Sequence, residues 1–145
     1  MIETLPLAPA QIDAMRAALV AAHLPADDLE AEGVILYAFA RGDEVVGYGG
    51  FEGYGASALL RSIVVFPADR RGGLGRQIVA SVIAEAGKAG AENVYLLTTD
   101  AQGYFERLGF VAVERAQAPA SILATRQGAA LCPSSAALLV RACSR

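Results

Sequence analysis

The hydrophobic positions fall into short β-branched runs separated by two stretches of helical spacing. Ile2–Leu5 reads as a short first strand. Ile12, Met15 and Leu19 then recur at helical spacing through about His23, after a Pro9 that suits the first turn of a helix. Leu24-Pro25 ends that helix. Val34–Ala40 and Glu44–Phe51 are strand-like runs on either side of the turn Arg41-Gly42-Asp43, which makes them an antiparallel hairpin. Gly47, Gly49 and Gly50 weaken the returning strand and admit close approach of another group. After a second turn, Ala58–Phe66 is a third strand. Its end, Ile63 to Phe66, is continuously apolar, as in a strand buried on both faces. Leu74, Ile78 and Val82, with Val79 and Ile83 beside them, form one helical stripe that runs to about Lys88.

With that helix as a crossover, Asn93–Leu97 is expected to lie parallel to Ile63–Phe66. Thr99 to Gln102 has the spacing of a capping box for a helix that ends at Leu108, with Gly109 in the terminating position. Phe110–Glu114 is a short strand. Residues 116–135 are irregular, with one helical turn at most, and Ala136–Ala142 is the final strand. The pattern predicts the α/β class: a mixed, mostly antiparallel sheet of six to seven strands flanked by helices, in a single domain spanning residues 1–145. The apolar irregular segment is expected to cover the substrate side.

Composition narrows the function classes. With 54% hydrophobic and 19% charged residues, the chain buries a core and is not disordered. No apolar run reaches the ~18 residues of a membrane span, and no signal peptide is evident at the N-terminus. A net charge of -3 argues against a nucleic-acid partner. Cys132 and Cys143 read as free thiols of a reducing cytoplasm, and one histidine with two cysteines is a poor metal set. His23, near a helix end, reads as a terminal or surface residue. The acidic run Asp27, Asp28, Glu30 and Glu32 is either a solvated face or the rim of a pocket for a cationic amine.

The candidate chemistry lies where the third long strand meets the second helix. Arg70-Arg71-Gly72-Gly73-Leu74-Gly75-Arg76 links them. Such a junction aims free backbone N–H groups and the positive end of a helix dipole at one point, a receptor for phosphate or diphosphate. A simple tight turn is the alternative. No Lys-Ser or Lys-Thr pair follows the glycines, and Gln77 and Ile78 stand where G-x-G-x-x-G would need its third glycine.

The remaining pattern, R-x-x-G-x-G after a β-branched strand and before a helix, resembles the coenzyme A diphosphate loop of the GNAT superfamily of N-acetyltransferases. Tyr104-Phe105-Glu106-Arg107-Leu108-Gly109-Phe110 is similar to a second block of that superfamily, at the expected separation. More narrowly, Leu59-Leu60-Arg61-Ser62, Leu96-Leu97-Thr98-Thr99, Tyr104-Phe105 and the segment Leu131 to Ala136 resemble the small N-acetyltransferases of bacterial arsenic-resistance operons. The resemblance implies a β-α-β core around acetyl-CoA as co-substrate, no metal, and a small amine or amino-acid-like acceptor. It also implies diphosphate on the amides of Arg71 to Arg76. Backbone of Ile63, Val64 and Val65 would face the pantetheine and the acyl oxygen, with Thr98 and Phe105 on the cofactor side.

Phe105 stands where the family often has an acid tyrosine, so the neighbouring Tyr104 is the candidate acid; packing against core or cofactor is the alternative for both rings. Glu52 is the candidate base, with a solvated turn carboxylate as its alternative. Arg61 and Ser62 are substrate candidates, Arg61 as a clamp for a carboxylate, unless it is buried in a structural pair with Glu52. A non-catalytic acyl-CoA binding or sensing domain is the competing function. A homodimer, with the C-terminal strand pairing across subunits, stays open.

Overall fold

The computed structural model describes residues 2–24, 26, 28–67, 73–125 and 136–143. Among these, seven strands hydrogen-bond in the order β1-β2-β3-β4-β5-β7-β6: β1 (Glu3–Pro6), β2 (Val34–Arg41), β3 (Glu44–Tyr54), β4 (Ser57–Val65), β5 (Asn93–Thr98), β6 (Val111–Val113) and β7 (Ala137–Ala142). The helices are α1 (Ile12–Ala21), α2 (Leu74–Lys88), the short α3 (Gln102–Arg107) and α4 (Ala120–Leu123). This is the expected mixed α/β class: β1–β2, β2–β3, β5–β7 and β6–β7 are antiparallel, and β4–β5 is parallel. The chain forms two compact units, Met1–Glu52 with Leu60–Ala84, and Gly53–Leu59 with Glu85–Arg145.

In the first unit, α1 buries Met15 and Leu19 against Leu29, Ala38, Tyr48 and Val64. Side chains alternate across a strand, so Tyr48 faces α1 while its neighbours Gly47 and Gly49 face the other way. There a Cβ on Gly47 would strike the Val64 carbonyl oxygen and come within 2.8 Å of Ile78 Cδ1. One on Gly49 would lie 3.1 Å from Val82 Cγ2 and 3.2 Å from Phe39 Cε2. The glycines of β3 therefore make room for neighbouring backbone and for the apolar stripe of α2, the close approach anticipated above. Pro6, one residue beyond the predicted first strand, is accommodated because β1 is an edge of the sheet. His23 ends α1 with φ 60, exposed, while the Leu24 amide donates to Leu19 O at 2.9 Å, a helix-terminating bond.

The second unit pairs the start of β4 with β5 (Ser57 with Asn93, Ala58 with Val94, Leu59 with Tyr95). The parallel sense is as expected, but the register lies at the beginning of β4 and not at Ile63–Phe66. β7 pairs with β5 along Asn93–Thr98 and, on its other side, with β6 along Leu138–Val140. Leu59, Ile122 and Leu138 are the buried centre of this unit, with Tyr95, Leu97, Val113 and Leu123 around them. No helix among the described residues is long and apolar enough to cross a membrane.

Candidate active site

α2 opens as the sequence implies. Gly73 has φ +78, a left-handed conformation that side chains rarely adopt, and among the described residues nothing lies within 4 Å of where its Cβ would be. Leu74 is buried and anchors the helix start, while Gly73 and Arg76 are exposed. The Gln77 amide donates to Gly73 O at 3.2 Å. The amides of Leu74, Gly75 and Arg76 precede that bond, and helix geometry gives them no partner inside the helix. The first turn carries no acidic side chain. These residues fit a diphosphate: a glycine in place of a side chain, leading amides and a positive dipole end whose first turn carries no carboxylate. Arg70, Arg71 and Gly72 lie outside the described residues, as do Cys132 and residues 126–135 of the irregular segment.

A second cluster sits at the centre of the first unit. Arg61, on β4, has a side chain 0% exposed. Its Nη1 donates to Asp28 Oδ2 at 2.8 Å and to Glu52 Oε2 at 2.7 Å; its Nη2 donates to Asp28 Oδ1; its Nε donates to Ser62 Oγ at 3.0 Å. Burial acts to lower the Arg61 pKa. The hydrogen bonds and charges of Asp28 and Glu52 outweigh it and hold the guanidinium above its ordinary value. The buried Arg61–Glu52 pair, one of the two alternatives open in the sequence, is thus present, and Glu52 is a buried residue and not a solvated turn carboxylate.

Asp28 is the partner that sequence reasoning missed. It belongs to an acidic run of which Glu30 and Glu32 behave as a solvated face: Glu30 is exposed and pairs with Arg16 at 3.0 Å, and Glu32 is exposed. Only its neighbour Leu29, also buried, hints that the run turns inward at this point.

Ser62 follows Arg61 with φ 61, inside a strand. Ile63 and Val65 are half-buried and Val64 is buried on the same strand.

On α3, Tyr104 is 37% exposed and meets the Phe105 ring edge-on at 5.3 Å; Phe105 in turn meets Phe110 at 5.7 Å. Phe105 therefore packs in the second unit, while the Tyr104 ring keeps an exposed face. The expected capping box is not formed. The helix begins at Gln102 with Ala101 in the cap position and no side-chain cap bond, and it is Thr98 Oγ1 that accepts from the Ala101 amide at 3.0 Å. β5 runs one residue longer than predicted, to Thr98, which moves the helix start away from Thr99. Among the described residues no group of three or more His, Cys, Asp and Glu is arranged to hold a metal.

The profile of the GNAT acetyltransferase domain matches residues 32–112, more than half of the chain. No curated protein matches in sequence. Solved structures do. The N-acetylglutamate synthase of Neisseria gonorrhoeae, complexed with coenzyme A and L-arginine, superimposes with a TM-score of 0.80 at 16% identity over 99% of this chain. This chain spans about a third (34%) of that enzyme's length. A GNAT-family acetyltransferase of Staphylococcus aureus gives 0.79 at 16% identity, covering 99% of this chain and 100% of its own. A Mycobacterium tuberculosis protein in complex with CoA and NLQ gives 0.77 at 18% identity, with 97% and 98% covered. At these identities the structures establish the fold, and the profile match establishes the family: the chain belongs to the GNAT acetyltransferases.

Proposed function

We propose that this chain acetylates the nitrogen of a small amine or amino-acid-like molecule at the expense of acetyl-CoA, by direct attack of the amine on the thioester. The observation that carries the reading is the start of α2: a left-handed Gly73 with no described atom crowding it, leading amides and a first turn without an acidic side chain. Acetyl-CoA, when bound, supplies the thioester carbonyl. Gly73, Leu74, Gly75 and Arg76, with Arg70, Arg71 and Gly72, hold its diphosphate, and backbone of Ile63, Val64 and Val65 binds the arm and the acyl oxygen. Thr98 and Phe105 border the cofactor. A base must take the amine's proton before attack, and Glu52 is the residue assigned to it. Tyr104, with an exposed ring, is assigned to return a proton to the departing sulfur. The same reading places the protein in the cytoplasm.

The second reading, an acyl-CoA binding or sensing domain without catalysis, draws on two observations. Glu52 is bonded to Arg61, and Phe105, at the family's acid position, packs on Phe110. A thiol-release screen against diverse amines and amino-acid analogues, including arsenic- and phosphorus-containing ones, separates the two. Release with one acceptor class supports the transferase, and that class also tests the arsenic-resistance resemblance. Thermal stabilisation by acetyl-CoA with no release on any amine supports the binding domain.

A further inference from the structure

Ser62 is the one described strand residue with a left-handed backbone, and it is not a glycine. The register shows why it is there. β3 ends at Tyr54 and β4 starts at Ser57, so a two-residue turn joins them. An unbroken hairpin closed in that way pairs Val46 with Val65. Instead the Phe66 amide donates to Val46 O at 2.9 Å, one residue further along. β4 therefore carries one residue more than its partner, and a left-handed residue is one of the ways a strand absorbs an extra one. Such a conformation persists in a non-glycine residue only when its surroundings over-determine it.

The surroundings here are Arg61. We infer that Arg61 is a positioning residue: locked by Asp28 and Glu52, its guanidinium holds Ser62 in the left-handed bulge and so sets the direction of Ile63–Val65. The fork geometry is what allows this. The two terminal nitrogens are taken by carboxylates from the segment before β2 and from the end of β3, and the inner Nε is left to donate to Ser62 Oγ at 3.0 Å. A bulge re-aims the side chains and amides that follow it. The residues that follow are those assigned above to the arm of acetyl-CoA, so the consequence for ligand binding rests on that reading. Arg61 then serves the site without touching substrate, in place of the carboxylate clamp expected from sequence.

Lysine at position 61 keeps the charge but has a single terminal nitrogen and no inner donor. Glycine at position 62 adopts the left-handed backbone without help. The test is NMR of 13C/15N-labelled full chain, with calorimetric titration of coenzyme A, on wild type, Arg61→Lys, Ser62→Gly and the double variant. Arg61→Lys is expected to move the Ser62 Cα and Cβ shifts off their left-handed values. It should also cut hydrogen-exchange protection of the Val64 and Phe66 amides tenfold or more, and weaken coenzyme A at least tenfold. Adding Ser62→Gly is expected to restore protection and affinity to within threefold of wild type.

Unchanged Ser62 shifts in Arg61→Lys, or a double variant no better than Arg61→Lys, would overturn the inference. A wild-type chain that ignores coenzyme A defeats the proposed function, and the clamp is then decided by the Ser62 shifts alone. If Arg61→Lys does not fold, Asp28→Asn, which weakens the lock but keeps its shape, is read in the same way.

Discussion

Replacing Arg61 by methionine removes the guanidinium that donates to Asp28, Glu52 and Ser62 while keeping an apolar side chain of similar length. The side chains involved are 0%, 5% and 8% exposed for Arg61, Asp28 and Glu52, so solvent screens little of the loss. Deleting one partner of a buried ion pair costs about 3–5 kcal/mol, because the charge left behind has neither water nor counter-charge. Here two carboxylates lose one cation, which places the variant at the upper end of that range. A domain of this size has about 5–15 kcal/mol in all, so the variant should stay folded but only marginally. With a urea m-value of about 2 kcal/mol/M, a loss of about 5 kcal/mol lowers the midpoint by about 2.5 M. Equilibrium urea unfolding followed by circular dichroism measures it. The triple variant Arg61→Met, Asp28→Asn, Glu52→Gln should recover part of the loss, since the stranded charges are gone. A loss below about 1 kcal/mol for Arg61→Met, or a triple variant no more stable than the single one, would refute the argument that the cluster is a mutually dependent buried network.

Two glycines should respond in opposite directions. Gly47→Val must displace the Val64 carbonyl and Ile78, and is expected to cost about 1–3 kcal/mol or more, read as a fall in Tm. Gly87→Ala, inside α2 with only Cys143 Cβ at 3.5 Å, should stabilise by about 0.5–1 kcal/mol; a loss there would show that the helix packs more tightly than described. Burial pushes the Cys143 thiol up, against a smaller opposite pull from Arg141. In a Cys132→Ser background Cys143 should therefore alkylate more slowly than a free thiol at pH 8, as the thiolate is the reactive form. Its folded value lies above its unfolded one, so its contribution to stability is complete below the unfolded pKa and is lost as pH rises through the folded one. Rapid alkylation of Cys143 in the native protein would contradict this. If Tyr104 returns the proton to sulfur, Tyr104→Phe should lower kcat about a hundredfold or more with coenzyme A affinity unchanged; an equal kcat removes it from that role.

What could be read from the chain was what depends on near neighbours. The stripe Leu74, Ile78, Val82 gave α2 its observed bounds, Leu74–Lys88, because helical spacing and a terminating glycine are local signals. The β-branched runs and the turn at Gly42 gave β2 to β4 to within a few residues. The misses are long-range. Asp28 looked like the exposed Glu30 and Glu32 of the same run because its partner lies 33 residues away on β4. The bulge at Ser62 was hidden because no glycine or asparagine marks it; the strain is held by Arg61, and only the assembled cluster shows that. Thr99 fitted a capping box by spacing, but pairing with β7 carries β5 on to Thr98 and the box is never reached. Of the candidate site, the opening of α2 was legible, and the partners of Arg61 and Glu52 only in part.

The proposed seat of the coenzyme A diphosphate at the start of α2 is open to calorimetric titration of coenzyme A into wild type, Gly73→Ala and Gly73→Glu. Alanine bears the cost of the left-handed backbone alone, whereas glutamate adds a carboxylate where the diphosphate belongs. Gly73→Glu is expected to bind at least about tenfold more weakly than Gly73→Ala, a difference of about 1.4 kcal/mol. Equal affinities for the two variants would contradict it.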